Sequence, residues 1–119
     1  MAADIPPQLQ NQLRQLQELQ QQAQVVIQQR GQIEAQLREV ERTLEELAKL
    51  EAGATLYRSV GSLLIRVKDA ETLKKDLEEQ KETMDVRLQS AKRQETRLRE
   101  RLTSLQRELQ AALGGPGEG

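Results

Sequence analysis

The sequence predicts an all-α fold, a long antiparallel two-helix coiled coil with a central β-hairpin, and three observations lead to it. Ala, Glu, Lys, Leu and Arg fill 63 of the 119 positions and Gln another 18, the composition of long helices. Apolar residues recur every seven positions in two separate stretches. Between those stretches lies a short run in which β-branched and charged side chains alternate. The only aromatic residue is Tyr57, so neither a compact core filled by rings nor a globular enzyme fold is expected. A chain of this length should form one structural unit, residues 1–119.

Helix one is expected over about residues 7–51. Leu9, Leu16, Ala23, Arg30, Leu37 and Leu44 recur every seven residues, and Gln12, Leu19, Val26, Ile33, Val40 and Leu47 follow each of them by three, which makes an a/d seam. Pro6 and Pro7 suit a first helical turn, because they lack the N–H that would go unsatisfied there. Gly53 is able to take the left-handed conformation that ends a helix.

The connector, residues 54–68, loses the heptad. Leu63, Ile65 and Val67 alternate with Leu64, Arg66 and Lys68, which gives one apolar and one mostly charged face, as on a half-buried strand. Leu56 to Arg58 is the expected first strand, and Ser59 to Ser62, with Gly61, the turn. A lone two-stranded ribbon is marginal in water, and two helices are too narrow to cover its apolar face. Leu56, Tyr57, Val60, Leu63, Leu64, Ile65 and Val67 therefore need partners. Strand edges pair with other strands, so the economical solution is an oligomer in which hairpins from several chains form a closed sheet or barrel. The competing expectation is a hairpin folded back onto the base of its own helices.

Helix two is expected over about residues 70–113. Leu77, Met84, Ala91, Leu98, Leu105 and Ala112 form one seven-residue series, and Lys81, Leu88, Glu95, Leu102 and Leu109 the other. Asp69 is placed as N-cap, Glu71 favours the positive end of the helix dipole, and Gly114, Gly115 and Pro116 are a stop signal followed by a flexible tail to residue 119. Helices of similar length joined by so short a connector fold back antiparallel. A register that pairs Leu9 with Ala112, Leu16 with Leu105, Leu37 with Met84 and Leu44 with Leu77 uses both from end to end, as a rod roughly 60–65 Å long. Arg30 and Glu95 break the apolar seam within diagonal reach of one another, and a pair between them is expected. Either this polar layer fixes the register, or both side chains snorkel from a narrow seam to water, the plainer reading. Lys74 and Lys81 weaken the seam near the hairpin.

Absent residues exclude chemistry. Without Cys there is no thiolate or disulfide, and without His the usual neutral-pH base and the commonest metal ligand are missing, so no cofactor or metal is expected. Tyr57 with Arg58 and Arg66 is the only candidate for a catalytic cluster, and hairpin packing explains it better. A net charge of −1 offers no general attraction to nucleic acid, and no apolar run approaches the roughly 20 residues that cross a bilayer. The opening Met1 to Pro7 has neither the basic start nor the apolar stretch of a signal peptide, so the cytoplasm is the expected compartment.

Surplus apolar groups gather where the termini should meet: Ile5, Pro6, Pro7, Leu9, Leu13 and Leu16 on one helix, and Leu105, Leu109 and Leu113 on the other. Such a tip is able to bind a partner, or its leucines merely complete the last seam layers. Charge is sorted as well. Residues 34–51 and 69–82 each carry −3, residues 85–108 carry +3, and helix one has 13 Gln between Gln8 and Gln36. Without stacking aromatics, this is read as a solvated face rather than a nucleic-acid grip.

The hairpin run Leu56-Tyr57-Arg58-Ser59-Val60-Gly61-Ser62-Leu63-Leu64-Ile65, the opening Ile5-Pro6-Pro7-Gln8-Leu9-Gln10, and the stretches Val86-Arg87-Leu88 and Arg93-Gln94-Glu95 together resemble the prefoldin beta subunits, most closely the archaeal form. The resemblance covers essentially the whole chain. It implies a hexamer of two alpha and four beta subunits, in which the hairpins build the barrel platform and the coiled coils project from it. It also implies an ATP-independent chaperone that holds unfolded proteins at the coiled-coil tips and passes them to a group II chaperonin. Leu56 to Val67 would then be the assembly element, and Ile5 to Leu16 with Leu105 to Leu113 the client contacts. A scaffold or tethering subunit would share the architecture but would not hold denatured proteins.

Overall fold

A computed structural model describes residues 5–114. In chain order, α1 spans Pro7–Lys49, β1 Tyr57–Val60, β2 Leu63–Arg66 and α2 Ala70–Ala112. The expected tail lies, from residue 115 on, outside the described residues. Two compact units divide the chain: α1 up to Gly31 together with α2 from Gln89, and Gln32–Leu88.

Local chemistry sets each boundary. Pro7 opens α1, and the N–H of Gln10 bonds the Pro6 carbonyl at 3.0 Å, while the Gln10 side-chain amide donates to the Ile5 carbonyl at 3.1 Å. α1 stops at Lys49, two residues before its expected end. Gly53, at φ 86°, shapes the turn that follows, closed by the Ala54 N–H on the Glu51 carbonyl at 3.1 Å. A positive φ at the third position of such a turn is what glycine supplies. At α2 the Asp69 carboxylate accepts the Glu71 N–H at 3.1 Å and the Thr72 hydroxyl at 2.7 Å, a complete N-cap. Gly114, at φ 77°, follows the last turn of α2.

The hairpin is tighter than the expected one. Ser59 and Val60 belong to β1, and the turn is only Gly61-Ser62, with Gly61 at φ 59°. Gly in the first of two loop positions suits a type II′ turn, whose twist matches that of the flanking strands. Ladder pairing therefore outweighs the turn preference of Ser59. The register pairs Tyr57 with Arg66, Arg58 with Ile65, Ser59 with Leu64 and Val60 with Leu63. The Val67 N–H on the Leu56 carbonyl, at 2.9 Å, extends it by one rung.

In the unit holding the chain ends, Leu9 and Leu19 of α1 cluster with Leu105 and Leu109 of α2, and Leu13, Leu16, Leu98 and Leu102 pack against them. The start of α1 thus lies against the end of α2, antiparallel, with Ala23, Val26 and Ala91 also buried. Ala112, expected opposite Leu9, is exposed, and Leu105 and Leu109 share the Leu9 cluster instead. Each leucine buried this way contributes about 1.5–3 kcal/mol of transfer free energy. In the hairpin-bearing unit only Leu37, Val40 and Leu88 are buried. Leu44, Leu47, Leu73, Leu77 and Met84 are half-buried, and Lys81 leaves the seam to meet Glu41 at 3.7 Å. Among the described residues no helix is long and apolar enough to cross a membrane.

Candidate functional site

Directly paired residues of an antiparallel ladder point to the same side, so the observed register sorts the hairpin into two faces. Leu56, Arg58, Val60, Leu63, Ile65 and Val67 share one; Tyr57, Ser59, Leu64 and Arg66 share the other. All eight strand residues are exposed, Leu63 by 64% and Leu64 by 72%, while Leu56 and Val67 at the base are half-buried. The helices of this chain therefore do not cover the strands, and the folded-back alternative does not occur. An aliphatic face with two open strand edges is suited to pairing with further strands. Sequence alternation separated Leu63, Ile65 and Val67 from Leu64 correctly. It did not show that Arg58 stands among the aliphatic residues, because that depends on cross-strand register.

The residues expected at the tip divide into two groups. Leu9, Leu105 and Leu109 are buried in the seam, with Leu13 and Leu16 half-buried beside them. Ile5 (45% exposed), Leu113 (66% exposed), Pro6 and Pro7 remain open. The leucine cluster is a floor, and the open residues stand at its margin.

Farther along the same unit, Arg30 donates its Nε–H to Oε1 of Glu95, and Oε2 of Glu95 receives Nη2 of Arg99 at 2.6 Å. Glu95 is the one buried charged residue among those described, at 8% exposure. The snorkelling reading is corrected for Glu95: the carboxylate stays inside because guanidinium groups from both helices replace its water. Arg99 was missed in the sequence, although it lies four residues after Glu95, the spacing of neighbours on one helix face. Among the described residues no group of three or more His, Cys, Asp or Glu is gathered to hold a metal.

A sequence model described as "Prefoldin subunit" matches residues 10–115. The prefoldin subunit beta of Methanococcoides burtonii is 48% identical over 118 residues, which covers 99% of this chain and 100% of that protein. That of Archaeoglobus fulgidus is 46% identical over 110 residues, covering 92% and 94%. Among solved structures, the crystal structure of the prefoldin beta subunit from Thermococcus strain KS-1 superposes with a TM-score of 0.83 at 38% identity, covering 95% of this chain and 98% of that one.

Proposed function

Because the chain belongs to the prefoldin beta subunits, a family of chaperone subunits, we propose that it is an ATP-independent holdase subunit and not an enzyme. Its hairpin joins those of an alpha-type partner, two alpha with four beta, in a closed β-barrel platform. Its tips hold unfolded proteins and pass them to a group II chaperonin in the cytoplasm, with residues 1–119 acting as one prefoldin-like unit. Arg30 and Glu95 fix the helix register.

The observation that carries this reading is apolar surface left open at two separate places. The strand residues Tyr57, Val60, Leu63, Leu64 and Ile65 are exposed, and so are Ile5 and Leu113 at the chain ends. Water disfavours both patches, and each has its own use: strand edges pair with strands, whereas a small irregular patch binds loosely and releases without fuel. Several such tips in one oligomer multiply weak contacts into useful affinity. Leu9, Leu13, Leu16, Leu105 and Leu109 support the tip from beneath and join it as a client presses in.

Deleting residues 105–119 tests the reading. The truncated chain should still assemble with an alpha-type partner, read by native mass measurement, while losing suppression of client aggregation, read by light scattering. Unchanged suppression removes the tips as the client site, whereas an untruncated assembly that suppresses no aggregation at all leaves a scaffold or tether.

A further inference from the structure

The hairpin is one-sided in charge as well as in burial. Residues 54–68 contain Arg58, Arg66 and Lys68 and neither Asp nor Glu, so the segment carries +3. Arg58 is the odd member of the aliphatic face: it stands between Leu56 and Val60 along the chain, opposite Ile65 of β2. It is exposed, and it is in no ion pair with a described residue.

At the foot of that face a hollow of about 310 Å³ opens between the hairpin and the start of α2. Ile65, Val67 and Leu73 give it an apolar side, and the three cations of the hairpin border it with Asp69 and Asp76. The Asp69 carboxylate is committed to the Glu71 N–H and the Thr72 hydroxyl. Asp76 lies exposed on α2, where water screens its attraction to a neighbouring cation. The cationic side of the hollow is therefore poorly answered within the chain.

Pairing the strand edges buries the aliphatic face, and Arg58 with it. A buried guanidinium without a carboxylate is costly. The strands of a second copy offer no remedy, because they hold no acid. Two β1 edges paired antiparallel with aliphatic faces aligned set Arg58 against Arg58 or Val60 of the second copy. The first repels, and the second leaves the cation unpaired. Pairing β1 with the β2 of a second copy, in the register of the hairpin itself, sets Arg58 against Ile65 with the same result.

We propose that Arg58 selects the neighbour in the platform: the strand that pairs beside it belongs to a different chain and carries an Asp or Glu on its own aliphatic face, within reach of Arg58 over the hollow. The inference rests on the platform reading above and adds the chemistry by which one neighbour is preferred to a second copy. Apolar side chains of the neighbour complete the face with Val60, Leu63 and Ile65, and its carboxylate accepts from the guanidinium. The acid draws the right chain in, and an unanswered Arg58 keeps copies of this chain from closing on one another.

The full chain, alone and mixed with an alpha-type partner, provides the test, with oligomers read by native mass measurement and affinity by titration. The parent should oligomerise only in the mixture. Arg58→Glu should weaken association with the partner at least about tenfold, the lower end for a close charge pair across an interface. Changing the acids of the partner's strands to Lys one at a time should find a position that repeats this loss with the parent and restores assembly with Arg58→Glu. Arg58→Leu should gain what the parent lacks, oligomers of this chain by itself, because the aliphatic face then has no charge to bury. Both variants should keep the parent's helical circular dichroism signal, since the position is exposed. The proposal is overturned if Arg58→Glu assembles like the parent while Leu63→Glu with Ile65→Glu does not, a result that leaves the platform standing. It is also overturned if the parent forms the same oligomers without the partner, because the neighbour is then a second copy. If Leu63→Glu with Ile65→Glu assembles undisturbed, the platform reading fails and selection by Arg58 falls with it.

Discussion

Glu95 is held by two guanidinium groups from different helices, and its removal should matter more than that of any surface charge. Glu95→Ala takes the Glu95 carboxylate away from a partly buried Arg30, whose side chain is 26% exposed. Removing one partner of a buried pair costs about 3–5 kcal/mol, and the partial exposure of Arg30 brings the expected loss to about 2 kcal/mol in urea unfolding. Arg30→Leu with Glu95→Leu should recover most of that stability while loosening the register. Since the chain has no Cys, paired cysteines introduced across the seam report this cleanly. A double variant that crosslinks only in the parent register leaves the ion pair without a register role. Asp69 behaves differently. The Thr72 hydroxyl first, and then the Glu71 N–H, hold its carboxyl below the ordinary range. A depressed acid stabilises the fold at pH above its unfolded value, and that contribution is lost as pH falls through the folded one. The carboxyl carbon of Asp69 should therefore titrate at lower pH than in an unfolded reference, followed by NMR, and Asp69→Ala should remove the pH-dependent part of α2 fraying. The cap was legible in the sequence, because Asp69 acts through its nearest neighbours. The burial of Glu95 was not, because it depends on which residues of two helices meet.

At the scale of the elements, glycines do opposite work. Gly61 sits at φ 59° in the two-residue turn, where a side chain is strained, so Gly61→Val should cost roughly 1–3 kcal/mol in thermal unfolding. Gly31 lies inside α1, and a Cβ there would meet nothing within 4 Å. Gly31→Ala should stabilise the chain by roughly 0.5–1 kcal/mol, checked in the same melts; a loss would mean that the glycine has a packing duty. Both helices were readable, to within about two residues at each end, from heptads and punctuation such as Pro7, Asp69 and Gly114. The hairpin was readable as an alternation, but its turn is Gly61-Ser62 and not the four residues Ser59 to Ser62 that local preference predicts. Ser59 prefers turns in isolation, and only its pairing with Leu64 places it in a strand.

At the scale of the whole molecule, the apolar side chains of the two strands stay exposed among the described residues, which makes assembly the natural place for their burial. Leu63→Glu with Ile65→Glu should abolish oligomers with an alpha-type partner in native mass measurement while leaving the helical circular dichroism signal nearly intact, since both residues are exposed here. Assembly undisturbed by those charges would separate the hairpin from the platform. By itself the sequence determined the two helices, the hairpin between them, and the apolar character of the tip and connector, because period, turn chemistry and composition are properties of neighbours along one chain. Only the tertiary structure decided which leucines lie inside the seam and which stay open, and that Glu95 is enclosed by Arg30 and Arg99. Each of those facts depends on how residues far apart in the chain are aligned across the seam, and a heptad pattern alone leaves several such alignments available.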